Sequence, residues 1–258
     1  MTKQYKAIFI DWDDTIGDWS SAAYAAQQEL YAKYGLQQYC GSFENWFALY
    51  HAHNDLLWEQ YGRSEITKEF LQRDRFLYPL AQAAGGGEAL MQSPRFVQMA
   101  DAMGADFLDL TNRFFRLMPD AAEVVRALAE RWPLTVLSNG FVEVQYYKLM
   151  HSGLRDCFAH VVLSEEAGVQ KPDPQIYRIA LQRNNEMFVS QGLAPISEKD
   201  VLMIGDSYSS DIRGAIAAGI DQLWICPDDA ALNDASRPAT YKVSGLNKIL
   251  PCLENLRS

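Results

Sequence analysis

The sequence predicts an α/β protein, a doubly wound parallel sheet interrupted by a long all-helical insertion. Three observations predict it. Strand-like and helix-like segments alternate through the C-terminal half; an isolated apolar run near the N-terminus has the character of one more strand; and the roughly 100 residues between them carry helical periodicity alone.

Taken in order, residues 5–10, YKAIFI, form a short apolar run ending at a carboxylate, as in a buried strand whose C-terminal end carries chemistry. Residues 20–35, 43–62 and 67–87 then place Ala, Leu, Gln and aromatics at spacings of three and four, so each predicts a helix with one buried face. The Ala-Ala-Gly-Gly-Gly stretch at 83–87 reads as a loop between helices, since no strand precedes it and no Lys-Ser/Thr follows. After Pro119 the order is helix AAEVVRALAERW, strand PLTVLSN, helix FVEVQYYKLMHSG, strand HVVLSEE, helix DPQIYRIALQRNN, strand DVLMIGD, helix SDIRGAIAAG and strand DQLWIC. Such alternation implies parallel strands joined by helical crossovers. The insertion is far longer than a crossover of about a dozen residues. We therefore expect a Rossmann-like core from residues 1–16 and 117–258 and a helical cap domain from residues 17–116, placed over the strands' C-terminal edge, where open α/β sheets bind ligands.

Composition narrows the function. The net charge of −10 disfavours a nucleic acid polymer as partner, and no block of Lys and Arg compensates for it. There is no run of about 18 apolar residues to span a membrane and no basic leader at the N-terminus, so a cytoplasmic location is expected. Cys40, Cys157, Cys226 and Cys252 are scattered and read as reduced, mostly core residues. The sequence sets no oligomeric state.

The chemistry gathers at strand ends. Asp11-Trp12-Asp13-Asp14-Thr15, Ser138-Asn139-Gly140, Lys171-Pro172-Asp173-Pro174 and Gly205-Asp206-Ser207 with Asp211 each follow a predicted strand, and in a parallel sheet those ends converge on one cleft. One such segment is as often a turn or a helix cap; four in this order point to a site. With D-x-D-x-T, S-N, K-P and G-D-x-x-x-x-D in sequence, the chain resembles the haloacid dehalogenase-like hydrolases, and its helical insertion resembles their small helical cap. The stretches SNGFVEVQ, LSEEAGVQKPDPQIY, VLMIGDSYSSDIRGA and LLWEQYGRSEITKEFLQRDRF are similar to a pyrimidine 5'-nucleotidase-type branch acting on nucleoside monophosphates.

The resemblance implies a magnesium-dependent phosphomonoester hydrolase working through an aspartyl-phosphate on a small phosphorylated metabolite such as a nucleoside monophosphate. It implies Asp11 as nucleophile, Asp13 as the acid that protonates the leaving oxygen and later activates water, and Lys171 as the cation at phosphate and Asp11. Mg²⁺ would rest on Asp11, the Asp13 carbonyl and Asp206, hard oxygen ligands of the type this ion prefers. Ser138 and Asn139 would bind the phosphoryl through a hydroxyl and backbone N–H groups; the plainer reading of both is a helix N-cap, and the two roles are compatible. Asp211 would order a metal-bound water or cap the following helix. The physical requirement agrees: a carboxylate attacks a phosphate dianion only where a cation and fixed donors offset the repulsion.

Other features carry less. His51 and His53 lie two apart on a predicted helix and do not share a face, so metal binding by the pair is disfavoured. Arg63, Arg73 and Arg75 read as surface partners of carboxylates before they read as anion receptors. Trp19, just after the first motif, is a candidate to stack on a base or sugar. Cap hinges are expected near 15–18 and 117–119. Among alternatives, a 2-haloacid dehalogenase would have no use for an acid at Asp13, because halide leaves without a proton. A sugar phosphomutase would use the same residues. A phospho-accepting signalling receiver, the non-enzyme alternative, is disfavoured by the long insertion and by the absence of an acidic pair before the acceptor.

Overall fold

A computed structural model describes residues 3–254. The chain forms two compact units, one holding the described residues up to Asp18 together with those from Arg116 onward, the other Trp19–Phe115.

The first unit is built on six parallel strands, β1 Ala7–Ile10, β2 Leu134–Ser138, β3 Phe158–Leu163, β4 Val201–Gly205, β5 Asp221–Ile225 and β6 Tyr241–Val243, in the order β3-β2-β1-β4-β5-β6. Every residue of β1, β2 and β4 is buried, which is why these segments read as unbroken apolar runs: helices cover a parallel sheet on both faces. On one face Phe9, Leu137, Val162 and Met203 pack with Ile176, Tyr177 and Ala180 of helix Pro174–Ser190 and with Ala215. That helix starts where it does because the Asp173 side chain accepts the Gln175 N–H at 2.8 Å and Pro174 occupies the first turn, where its missing N–H costs nothing. The strand order reverses direction between β1 and β4, so the C-terminal ends of those two strands flank the crevice in which doubly wound folds bind ligands.

Three local readings are corrected. β6 was not anticipated, because three residues are too few to show a period. Residues after Leu163, read as the end of a strand, turn into the short helix Ser164–Ala167. The segment read as one helix from Ser210 begins instead with a π-helical turn, Tyr208–Ile212, before the α-helix Arg213–Ala218. The cysteines are free thiols as expected, but only Cys226 is buried, and the other three are half-buried.

The two segments that lead out of and back into this unit are tied together. Gly17 bridges Leu117 antiparallel, Asp18 N–H donates to the Arg116 carbonyl at 2.9 Å, Met118 N–H donates to the Ile16 carbonyl at 2.8 Å, and Arg116 Nε pairs with Asp18 Oδ2 at 2.8 Å.

The second unit is helical. Trp19–Lys33, Phe43–Gly62, Lys68–Ala83 and Pro94–Phe114 are its long helices, with Ser42 and Thr67 capping the second and third through the N–H groups of Asn45 and Phe70. Its core is aromatic: Trp46, Tyr50, Phe76, Phe96 and Phe107 are all buried, and Trp46 Nε1 finds Gln27 Oε1 at 2.9 Å. Arg63 and Arg73 are exposed and paired with Glu65 and Asp101, as expected. Arg75 departs from that expectation. It is 3% exposed, its guanidinium carbon lies 4.8 Å from the Phe107 ring centre and 5.2 Å from that of Phe76, and its Nε and Nη2 have no hydrogen-bond partner among the described residues. Burial pushes the guanidinium below the ordinary arginine range, with the Tyr50 hydroxyl opposing.

Burying a charge without a counter-ion costs several kcal/mol, whereas attraction to aromatic faces returns about 2. Arg75→Met, apolar and similar in length, should therefore melt no lower than the parent by calorimetry. A fall of several degrees would mean that the ring contacts outweigh the desolvation.

Candidate active site

The site is built at the ends of β1 and β4. Asp11 N–H donates to the Ile204 carbonyl at 2.9 Å, extending the β1–β4 ladder one residue past the strand and fixing where the Asp11 carboxylate begins. The chain then folds into a tight loop: Ile16 and Gly17 N–H both reach the Trp12 carbonyl at 2.8 Å, and Asp14 takes the left-handed φ of 58° that aspartate tolerates better than most residues. Trp12 is buried, its ring edge-on to Phe158 at 5.9 Å. The loop brings Thr15 to β4, where its hydroxyl donates to Asp206 Oδ1 at 2.9 Å and accepts the Asp206 N–H at 3.1 Å. Thr15 thus joins the two halves of the site, a role the sequence reading did not give it.

Lys171 is 3% exposed and donates to two carboxylates, Asp11 Oδ1 and, at 2.7 Å, Asp211 Oδ1. Its backbone is clamped by the Asn139 side chain, which accepts the Lys171 N–H and donates to the Lys171 carbonyl, both at 2.9 Å. The Asn139 amide is therefore committed to holding Lys171. Ser138 is buried, and its hydroxyl oxygen accepts the Gly140 N–H at 3.2 Å.

Asp211 is fully buried. Its Oδ2 accepts the Ser207 N–H at 3.0 Å, while Ser207 itself caps the π-helical turn through the Ser210 N–H. The carboxylate thus reaches back across the turn instead of capping the following helix. Gly205 makes room for it: a β-carbon there would stand 2.3 Å from Asp211 Oδ2.

Asp13 stands apart from this cluster. Its two oxygens accept from two side chains of helix Val142–His151, Oδ2 from Gln145 Nε2 at 2.6 Å and Oδ1 from Lys148 Nζ at 2.5 Å. Gln145 and Lys148 were missed in the sequence. The only trace was that FVEVQYYKL carries a Gln and a Lys three apart, as an exposed face of a helix also would.

Asp11, Asp206 and Asp211 each offer a carboxylate oxygen within 4.8 Å of the others, and they are the only such cluster of potential metal ligands among the described residues. Lys171 supplies one positive charge to the three. The imbalance appears in their proton affinities. Burial, then the charges of Asp211 and Asp206, raises Asp11 well above the carboxylate range despite Lys171; burial and Asp211 push Asp206 up to about 7. For Lys171, burial alone would lower the ammonium, but Asp11 and Asp211 outweigh it and hold it above the ordinary lysine range. An all-oxygen, acidic donor set short of positive charge fits a hard divalent cation.

Of the remaining candidates, His51 pairs with Asp55 at 3.0 Å while His53 reaches Asp74 at 2.7 Å and stacks on Tyr78, so the two imidazoles serve different partners. Trp19 packs edge-on to Phe107, 6.0 Å between ring centres, within the helical unit. No helix among the described residues is long and apolar enough to cross a membrane.

A family model described as haloacid dehalogenase-like hydrolase matches residues 5–219. The chain is 28% identical over 242 residues to the pyrimidine 5'-nucleotidase YjjG of Escherichia coli (strain K12), covering 94% of this chain and 95% of YjjG. It is 27% identical over 256 residues to the pyrimidine 5'-nucleotidase PynA of Streptococcus pneumoniae, covering 97% and 95%. In fold it is similar to the magnesium-bound crystal structure of YfnB from Bacillus subtilis, with a TM-score of 0.76 at 24% identity over 98% of this chain and 100% of that one.

A carboxyl group whose proton affinity is raised by folding stabilises the fold while protonated and withdraws that contribution as pH rises. For Asp206 the loss spans the interval from about 4, the unfolded value, to about 7, and Asp11 acts in the same direction. Chelator-treated protein should therefore melt lower at pH 7.5 than at pH 5.5 as far as these groups are concerned, and magnesium chloride should raise the melting temperature most at the higher pH. An equal magnesium effect at both values would mean that the cation does not act on these carboxylates.

Proposed function

This chain belongs to the haloacid dehalogenase-like hydrolase family, and from that premise we propose that it is a magnesium-dependent phosphomonoester hydrolase acting on a small phosphorylated metabolite, with a nucleoside monophosphate as the leading substrate class. The observation that carries the reading is the separation of two carboxylates two residues apart: Asp11 lies in the buried Lys171 and Asp211 cluster, while Asp13 is held by Gln145 and Lys148. The two carboxylates thus meet different partners, as separate roles in attack and proton transfer require.

In the first step an Asp11 carboxylate oxygen forms a bond to phosphorus as the ester P–O bond breaks, and Asp13 gives its proton to the departing oxygen. In the second, Asp13 takes a proton from water as the water oxygen bonds to phosphorus and the Asp11–phosphorus bond breaks, which regenerates both carboxyl groups. Asp11, Asp206 and the Asp13 carbonyl would hold Mg²⁺, which when bound supplies positive charge shared between nucleophile and phosphate. Lys171 adds a fixed ammonium, and the Ser138 hydroxyl with the Asn139 backbone N–H would receive the phosphoryl oxygens. Asn139 contributes through its grip on the Lys171 backbone, and Asp211 by steadying Lys171 and the water around the ion. Trp19 is kept as the candidate specificity residue, and residues 17–116 as the cap domain on the core of residues 1–16 and 117–258. A soluble cytoplasmic enzyme is the matching location.

Asp13 favours this reading over a 2-haloacid dehalogenase, where no leaving-group acid is required. The deciding experiment is phosphate release from a panel of nucleotides and sugar phosphates, with magnesium or with chelator, using Asp11→Asn as the blank. Release that needs magnesium and vanishes in the blank is expected; halide loss from a 2-haloacid without metal, with no phosphate release, would overturn the proposal. Asp13→Asn should slow release from an alkyl phosphate by about 10²- to 10⁴-fold.

A further inference from the structure

Helix Val142–His151 is amphipathic in an unusual sense, because two of its inward residues are polar. Gln145 is 1% exposed and Lys148 2%, and at a spacing of three they share one helix face. A buried lysine is costly unless it meets a counter-charge, and a short extension would return its ammonium to water. Lys148 instead reaches a side chain 135 positions away, Asp13.

We propose that Gln145 and Lys148 are positioning residues for Asp13, holding its carboxyl group in the orientation from which it delivers a proton to the leaving oxygen. The inference rests on the phosphatase reading above. Each donor takes a different oxygen, Gln145 Nε2 to Oδ2 at 2.6 Å and Lys148 Nζ to Oδ1 at 2.5 Å, so rotation of the carboxyl group about its own bond breaks both contacts. A single donor would oppose that rotation with one contact in place of two. The two donors come from one rigid helix, whose start is anchored where the Val142 N–H meets Glu165 Oε2 at 2.9 Å. The neighbouring backbone is shaped to let Gln145 through: a β-carbon on Gly140 would lie 1.8 Å from Gln145 Nε2 and 2.7 Å from its Cδ. A larger residue after Ser138-Asn139 would push the Gln145 side chain off this route to Asp13. Lys171 serves Asp11 and Lys148 serves Asp13, so each carboxylate of the pair has its own buried ammonium.

A group that only orients the acid matters in proportion to how much the leaving group needs a proton. The test compares the first turnover of a nucleoside 5'-monophosphate, whose alkoxide must be protonated, with that of p-nitrophenyl phosphate, whose phenolate departs without one. It is run on the full chain with magnesium. For Lys148→Met, first-turnover release of the nucleoside should fall by about 10²-fold while the p-nitrophenolate burst stays within about threefold of the parent, with KM for both little changed. Lys148→Arg should recover much of the loss. Gln145→Leu, which keeps the ion pair, should show the same selectivity to a smaller degree and serves if Lys148→Met does not fold. Equal losses with both substrates, or none with either, overturn the inference and leave the phosphatase reading intact. A parent protein that releases neither leaving group removes that reading and this one with it.

Discussion

Three carboxylates, Asp11, Asp206 and Asp211, converge at the ends of two adjacent parallel strands with one buried ammonium among them. Like charges in a low-dielectric corner repel strongly, and one lysine neither balances three acids nor reaches them all at once. Much of the local architecture follows from managing that repulsion. Asn139 grips the Lys171 backbone at both its N–H and its carbonyl, Thr15 bonds to the Asp206 side chain and backbone, and the Ser207 N–H takes the second oxygen of Asp211. Gly205 is a glycine because the Asp211 carboxylate occupies the space a side chain would need. Such a corner fits a cation, and the uncompensated charge costs some stability without one, as is common where local rules are broken.

The acid pair Asp11 and Asp13 shows how adjacent positions acquire different chemistry. They leave the same strand, yet the backbone turns so that Trp12 between them is buried and the two carboxylates answer to different elements. Asp11 meets Lys171, beyond β3, and lies beside Asp206 and Asp211, beyond β4; Asp13 meets one helix. On the proposed reading, a division of labour between attack and proton transfer would arise from the surroundings each residue meets after the strand ends.

Much of the fold was legible because its signals are local. The runs YKAIFI, PLTVLSN and VLMIGD are continuous apolar segments, which only strands buried on both faces require, and their alternation with helical periods fixed the parallel sheet. The convergence of Asp11, Lys171 and Asp206 was legible for a related reason, since Asp11 and Asp206 sit where strands stop and Lys171 follows β3 after one short helix. What escaped the sequence depends on tertiary routing. Nothing in FVEVQYYKL distinguishes a buried Gln and Lys from a solvated pair, because their partner, Asp13, lies far off in the chain, in the loop after β1. Arg75 escaped in the same way: an arginine on an amphipathic helix is ordinarily a surface residue, and only the surrounding helices enclose it among Phe76 and Phe107. β6 was too short to leave a pattern.

The neck formed by Gly17, Asp18, Arg116 and Leu117 has a consequence for how such a chain varies over time. Two segments that hydrogen-bond to each other close the α/β unit at the point of entry, so its sheet register no longer depends on what is spliced between them. The entropy of closing that loop grows only slowly with its length, so a longer or shorter insertion changes the stability of the sheet by a small amount. The helical segment is in this sense an interchangeable module. A change in its size or surface should leave the positions of Asp11, Asp206 and Lys171 beyond the strands unaltered.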